Sequence, residues 1–509
     1  MNFVIIILII LTFISRVIGL GREMSLAYFY GATNISDAYL MSIAIPTILI
    51  TIFITSLAIG YIPTYQKLGY DIGAKNTFTN KVMGLSLLIG LFILIITFIF
   101  TPQIIPLFVS GFDPDTLALT VSLTRITLFA IFFMGLSQIL HGFMQVKEKV
   151  LLASLSGLPF NLVAILFIVI SAHTHIHLLA IGTVIAMGAQ CLYLAILARR
   201  QGFKLKPQFK LEDKNIKNLV ILTLPIILAN MVEQIGIIID KNLASGFGPG
   251  AVSALAYATR TSTVISGIFI TSVLIVTFPK ISEFAITNST TQLKKVLSES
   301  IVGMCLFIIP SISAVAMFAH PVVSLLFGRG AFDAEAISVT SSLLFFYVFV
   351  LFGHGLTQLI SRVFIALGDS KTPVMIAVIT VIINIILNFL LTSLIGITGL
   401  ALATSISALI GFIILLLLLR RKIGSLQLKK SFESLGKITG ASVIMAFGAY
   451  FIYQYVLPFN ALLALFTSAI VGIMIYGILL LILRIREVDY LISTAVSQIR
   501  KWAENRKNS

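Results

Sequence analysis

The chain has 509 residues, of which 58% are hydrophobic and only 11% charged, and it carries a formal net charge of +16. Soluble domains carry roughly 25% charged residues, so this composition excludes a water-soluble globule and places the protein in a bilayer. Without water to satisfy the backbone only helices or closed barrels can span, and apolar runs of about 20 residues without strict alternation select helices.

Runs between charged, glycine or proline breaks predict spans over 3–29, 36–63, 82–106, 117–143, 151–172 and 176–198. A second set follows over 219–241, 251–278, 300–320, 337–366, 374–393 and 397–419, and a last pair over 435–457 and 460–483. The expected fold class is all-α, a polytopic membrane protein of about fourteen transmembrane helices. The first run lacks the charged start and small-residue cleavage site of a signal peptide, and it is read as part of the mature protein. Cys191 and Cys305 sit in separate apolar runs and suggest no disulfide framework.

Alternate loops assigned to the cytoplasm collect 28 of the 35 lysines and arginines, against Lys241 and Arg329 on the other side. That is the positive-inside pattern, with both termini cytoplasmic. The net charge therefore reports topology and contact with anionic membrane lipids, and no nucleic-acid partner is expected. No nucleotide loop, catalytic triad or metal-ligand motif stands out, so the chain is read as a transporter and not an enzyme.

Ile52-Phe53-Ile54-Thr55-Ser56 recurs as Ile268-Phe269-Ile270-Thr271-Ser272, each followed at equal distance by a proline, Pro63 and Pro279, at an offset of 216. Pro102, Phe108, Phe112, Asp113 and Asp115 map onto Pro321, Phe327, Phe332, Asp333 and Glu335 at offsets of 219 to 220. The repeat unit is thus six helices, and an even number leaves both copies in one orientation, as in parallel-repeat transporters. The expected organisation is an N-terminal six-helix lobe over 1–198, a basic cytoplasmic linker over 199–218 and a C-terminal six-helix lobe over 219–421. Appended helices 13 and 14 occupy 422–485, and a basic amphipathic cytoplasmic tail occupies 486–509, its apolar residues at helical spacing among arginines and lysines.

Five basic residues fall inside predicted spans: Arg16, Arg22, Arg125, Arg260 and Arg362. Arg362 lies near a cytoplasmic helix end and Arg125 about two turns from an outer end, so both have room to snorkel. Arg16, Arg22 and Arg260 would each cost about 2.5–3.5 kcal/mol facing lipid, so they face water, an acidic partner such as Glu23, Asp37 or Glu233, or an anion. Arginine's planar fork suits phosphate, which points to a phosphate-bearing amphiphile as cargo. In the second half Asp240, Asn384, Asn388 and Thr404 offer the oxygens a small hard cation needs, although interhelical hydrogen bonding would use the same amides and hydroxyl.

Ser15-Arg16-Val17-Ile18-Gly19-Leu20-Gly21-Arg22-Glu23, then Gly31-Ala32 and Ser36-Asp37-Ala38, resemble the opening of the MurJ/MviN family of lipid II flippases. Phe278-Pro279-Lys280-Ile281-Ser282-Glu283, Leu325-Leu326-Phe327-Gly328-Arg329-Gly330-Ala331-Phe332 and Lys371-Thr372-Pro373 extend the resemblance along the whole chain. The family belongs to the multidrug/oligosaccharidyl-lipid/polysaccharide exporter superfamily. The resemblance implies export of undecaprenyl-diphosphate-linked peptidoglycan precursor across the bacterial cytoplasmic membrane, in the service of cell-wall and cell-shape biogenesis. It implies that Arg16, Arg22 and Arg260 line a cavity for the diphosphate, that Glu23 and Asp37 belong to a gate, and that helices 13 and 14 hold the lipid tail. It also implies that Asp240, Asn384, Asn388 and Thr404 form a site for sodium as the coupling ion, with no other cofactor, and that cell-wall synthesis proteins are candidate partners. Family members often carry basic residues around the proline of span 2, where this chain reads Ala44-Ile45-Pro46-Thr47-Ile48-Leu49-Ile50-Thr51. Another polyprenyl-diphosphate-linked glycan, or a drug/cation exchange of the same superfamily, stays open as the alternative.

Overall fold

The computed structural model describes residues 3–210, 212–287, 289–426 and 429–485, and the tail expected over 486–509 lies outside them. Every regular element among the described residues is a helix. The first repeat runs α1 (Phe3–Tyr30), α2 (Asn34–Ile50), a π-helical turn (Thr51–Thr55), α3 (Ser56–Lys67), α4 (Ile72–Ile99), α5 (Thr101–Phe108), α6 (Pro114–Thr127), α7 (Ala130–Val146), α8 (Val150–Ser154), α9 (Gly157–Ala172) and α10 (His177–Arg200). The second runs α11 (Lys214–Ser245), α12 (Ala251–Ile286), α13 (Thr290–Met317), α14 (Ala319–Phe327), α15 (Ala334–Tyr347), α16 (Val350–Ala366), α17 (Lys371–Ile395) and α18 (Thr398–Ile423). The last pair is α19 (Lys429–Val456) and α20 (Ala461–Ile482).

Each expected span falls on one of these helices or on consecutive ones, the span expected over 36–63 being divided among α2, the π-helical turn and α3. Among the described residues eleven helices are long and apolar enough to cross a membrane, or up to twelve when α6 and α7, bent by 50° at their junction, count as one. The protein is a multi-pass, all-helical membrane protein. Helix starts follow local chemistry: Asp71 accepts hydrogen bonds from the Gly73 and Ala74 amides, and Asp113 from those of Asp115 and Thr116 with Pro114 at the first helical position. Both caps satisfy amides that a helix leaves unpaired at its N-terminus.

Contacts gather the chain into two compact units. The first holds the described residues up to Arg260 together with Leu326–Thr340 and Val381–Leu400; the second holds Thr261–Leu325, Ser341–Thr380 and the described residues from Ala401 onward. In the first unit Tyr61, Phe78 and Phe143 anchor a core between α3, α4 and α7, with the Tyr61 and Phe78 rings stacked at 5.7 Å. In the second unit Ile270, Met304, Leu356, Leu359 and Leu415 bring α12, α13, α16 and α18 together. There α19 and α20 pack on α13 through Val302 and Ile438, and Phe318 meets Tyr453 edge-on.

The first unit contains segments far apart in the chain, and their backbones meet closely. The α1–α2 turn carries Gly31 at φ +63, where a Cβ would collide with the Ala331 carbonyl, and Gly330, at φ +66, would collide with that of Tyr28. Only glycine suits such positions, where backbone must reach backbone at positive φ. The Ala331 amide in turn donates to the Tyr28 carbonyl at 2.8 Å.

Candidate functional site

Arg22 and Glu23 are neighbours on α1, and Arg260 stands near the start of α12. The Arg22 Nη2 donates to Glu23 Oε1 at 2.5 Å, and the Arg260 Nε lies 3.7 Å from the same oxygen. One buried carboxylate therefore faces two guanidiniums. The Arg22 guanidinium is also placed over the Phe160 ring at 5.0 Å, while the Arg260 side chain is 62% exposed. A second cation beside an already paired carboxylate keeps positive character that a bound anion can use. Helix α1 runs unbroken through Gly19 and Gly21, and a Cβ at Gly19 would stand 3.6 Å from the Asn161 amide nitrogen. The Arg16 side chain lies outside the described residues.

Asp37, the other gate candidate, is 1% exposed and faces the N-terminus of α12. Its Oδ2 accepts from the Gly250 amide at 2.8 Å and its Oδ1 from the Ser253 amide at 2.7 Å. A carboxylate there satisfies two amides of the first turn and sits at the positive end of the helix dipole. Nearby, the Tyr257 hydroxyl donates to the Gly31 carbonyl at 3.2 Å, adding a tie between α12 and the α1–α2 turn. Asp37 thus holds elements of the two repeats together within the first unit.

Three of the four candidate cation ligands belong to the first unit. Asn388 Nδ2 donates to Asp240 Oδ1 at 2.5 Å and contacts Asn384 Oδ1 at 3.3 Å. Asn388 Oδ1 is buried with no hydrogen-bond partner. Thr404 belongs to the second unit. The residues α17 and α11 bring together are therefore Asp240, Asn384 and Asn388.

Lys241 joins these charges. The sequence pattern assigns it to the outer side, and it lies within electrostatic range of Arg260, Asp37 and Asp240. Glu23, Asp37 and Asp240 are thus matched in number by Arg22, Lys241 and Arg260, of which Arg260 is the exposed one. The adjacency of Lys241 to Asp240 was the available signal. Asn230 was also missed: its Nδ2 donates to Ser56 Oγ at 2.8 Å and to the Thr51 carbonyl at 3.3 Å, and so supports the π-helical turn. No signal in the sequence marks that long-range contact.

Comparison with known proteins places this geometry in a family. The sequence model described as "Lipid II flippase MurJ" matches residues 26–479. A probable lipid II flippase MurJ from Rickettsia prowazekii is 28% identical over 409 residues, covering 79% of this chain and 80% of the relative. One from Thermotoga maritima is 27% identical over 480 residues, covering 94% and 96%. A solved structure of lipid II flippase MurJ in an inward closed conformation superposes with a TM-score of 0.79 at 27% identity, covering 93% of this chain and 98% of that one. With the family model matched over residues 26–479 and the fold shared along nearly the whole length, the chain belongs to the MurJ family of lipid II flippases, which are transporters and not enzymes.

Proposed function

We propose that this protein translocates lipid II, the undecaprenyl-diphosphate-linked peptidoglycan precursor, from the inner to the outer leaflet of the bacterial cytoplasmic membrane. The observation that carries the reading is Arg260, an exposed guanidinium 3.7 Å from a carboxylate that Arg22 already engages. Two forks around one acid favour an incoming diphosphate, whose charge would displace the weaker of the two pairings. The names of the relatives support lipid II as the cargo.

Translocation by alternating access fits the ties at Asp37. In this reading the head group enters from the cytoplasmic side, the two six-helix lobes rock, and the Gly250 and Ser253 amides leave Asp37 as the outer side opens. Glu23, released from Arg260 by the diphosphate, couples cargo to that opening. The lipid tail stays in the bilayer, against α19 and α20.

Sodium suits the second cluster, because Asn388 Oδ1 is a buried oxygen without a partner beside the Asp240 carboxylate. Asp240, Asn384 and Asn388 would hold the ion through their oxygens, in place of the amide nitrogen that now donates to the Asp240 carboxylate. Rotating the Asn388 amide would present its oxygen in place of its nitrogen. Membrane potential is the second driving force, worth roughly 2.3 kcal/mol per charge per 100 mV. Cytoplasmic termini follow from the positive-inside count, and cell-wall synthesis proteins are the proposed partners. The absence of basic residues over Ala44–Thr51 favours, as a second reading, another polyprenyl-diphosphate-linked glycan as cargo.

Depletion in the native host tests the proposal, with lipid II on the inner leaflet as the readout. Accumulation there, reversed by the wild-type chain but not by Arg260→Ala, is expected. Unchanged lipid II distribution after depletion would overturn the assignment and leave the other glycan as cargo.

A further inference from the structure

Arg125 takes no part in the site above. Its guanidinium carbon lies 5.4 Å from the centre of the Phe98 ring, and its Nε is buried with no hydrogen-bond partner. No ion pair among the described residues includes it. Asp115 on its own helix is ten residues away, about 15 Å along the axis, and the capping Asp113 lies beyond it. An aromatic face attracts the cation but accepts none of the five N–H donors that lie in the guanidinium plane.

The surroundings are apolar and exposed. Phe98 occupies the last turn of α4, at the end away from Lys75 and Lys81, and Phe98, Ile99, Phe100 and Phe129 are all exposed. A long side chain on a helix points back toward its N-terminus, so the Arg125 head reaches the level where α4 ends. By the charge pattern that end is the outer leaflet.

The second repeat shows what the scaffold requires at this place. At the offset of 220 that carries Asp113 onto Asp333, Arg125 corresponds to Phe345 and Phe129 to Phe349. Phe345 is itself exposed and meets Phe349 edge-on at 6.0 Å. An apolar side chain therefore suffices for packing, and the charge in the first repeat calls for another explanation.

We propose that Arg125, framed by Phe98 and Phe129, binds the phosphate of a membrane amphiphile at the outer face of the first repeat. Two sources share that chemistry: the headgroup of an anionic phospholipid and the diphosphate of a polyprenyl lipid. The aromatic rings would lie against the acyl chains, and the terminal N–H groups of the guanidinium would close on phosphate oxygens.

The test uses the full chain in nanodiscs with a phosphatidylglycerol probe carrying a photoreactive headgroup, and with a phosphate-free diacylglycerol probe of the same chains. Crosslinks to 95–100 and 121–129 are expected from the first probe only. They should fall about tenfold in Arg125→Phe and Arg125→Gln, the loss of a charged hydrogen bond, and survive in part in Arg125→Lys. Unlabelled phosphatidylglycerol or undecaprenyl diphosphate is then added in competition, and the stronger competitor identifies the source. Equal labelling by the two probes on the wild type, which needs no variant to fold, would overturn the proposal. So would unchanged labelling in Arg125→Phe.

Discussion

Glu23 and Asp240 stand at nearly equivalent places in the two repeats, since the offset of 216 carries Asp240 onto Met24, one residue from Glu23. Their surroundings differ in kind. Glu23 faces two guanidiniums, whereas Asp240 accepts from an amide whose own oxygen is left without a partner. Glu23 is met directly by two cations, whereas Asp240 is met by a neutral amide and feels Lys241 only through space. The sequence repeat gives the two acids nearly equivalent positions, and the departures from symmetry give them different partners, guanidiniums at Glu23 and an amide at Asp240.

The largest expected effect breaks the first of these surroundings. Arg260→Ala removes the exposed guanidinium and should lower lipid II translocation in reconstituted vesicles at least about tenfold, the loss of one charged hydrogen bond to phosphate. Insertion and yield should stay normal, because the side chain is mostly exposed. Glu23→Gln leaves Arg22 without its charge partner in a buried setting, and losing one member of such a pair typically costs about 3–5 kcal/mol. A clearly lower thermal unfolding midpoint in detergent would be the sign of it; an unchanged midpoint would mean the pair is not structural.

Asp37→Ala sharpens the comparison by removing a tie while leaving both clusters' charges in place. Its two amide hydrogen bonds cap α12, and a lost cap costs roughly 1 kcal/mol. Cysteine-accessibility labelling near Gly250 should rise from the outer side. The smallest effect is expected at Asp369, between α16 and α17, whose carboxyl is held down to about 2, chiefly by the hydrogen bond from Lys422 and then by the Thr372 amide. A depressed pKa stabilises the fold above the ordinary value of 3.8 and loses that contribution as pH falls through about 2. Asp369→Asn should therefore lower the unfolding midpoint slightly at pH 6, and the difference from wild type should shrink as pH falls below 4; a constant difference would contradict the pairing.

Much of this was legible in the chain. Apolar runs of membrane length marked the helices, because lipid leaves the backbone few alternatives. Residue type alone singled out Arg22, Arg260, Asp240 and Asn388. What could not be read were contacts made across the repeat. Asp37 meets amides 213 and 216 residues away, which no local pattern encodes. The repeated pentapeptide makes the point most plainly: Ile52–Thr55 lies in a π-helical turn, while its copy from Ile268 runs in regular α-helix. Asn230 supports the first through Thr51 and Ser56, and its counterpart in the first repeat is Ile14, which offers no such amide.

The division of labour between the clusters is tested most directly by lipid II transport in proteoliposomes at fixed potential across a sodium titration, for wild type, Arg260→Ala and Asp240→Asn. The account predicts that Arg260→Ala lowers transport at every sodium concentration and that Asp240→Asn abolishes its dependence on sodium. Normal transport by Arg260→Ala, or wild-type sodium dependence in Asp240→Asn, would contradict it.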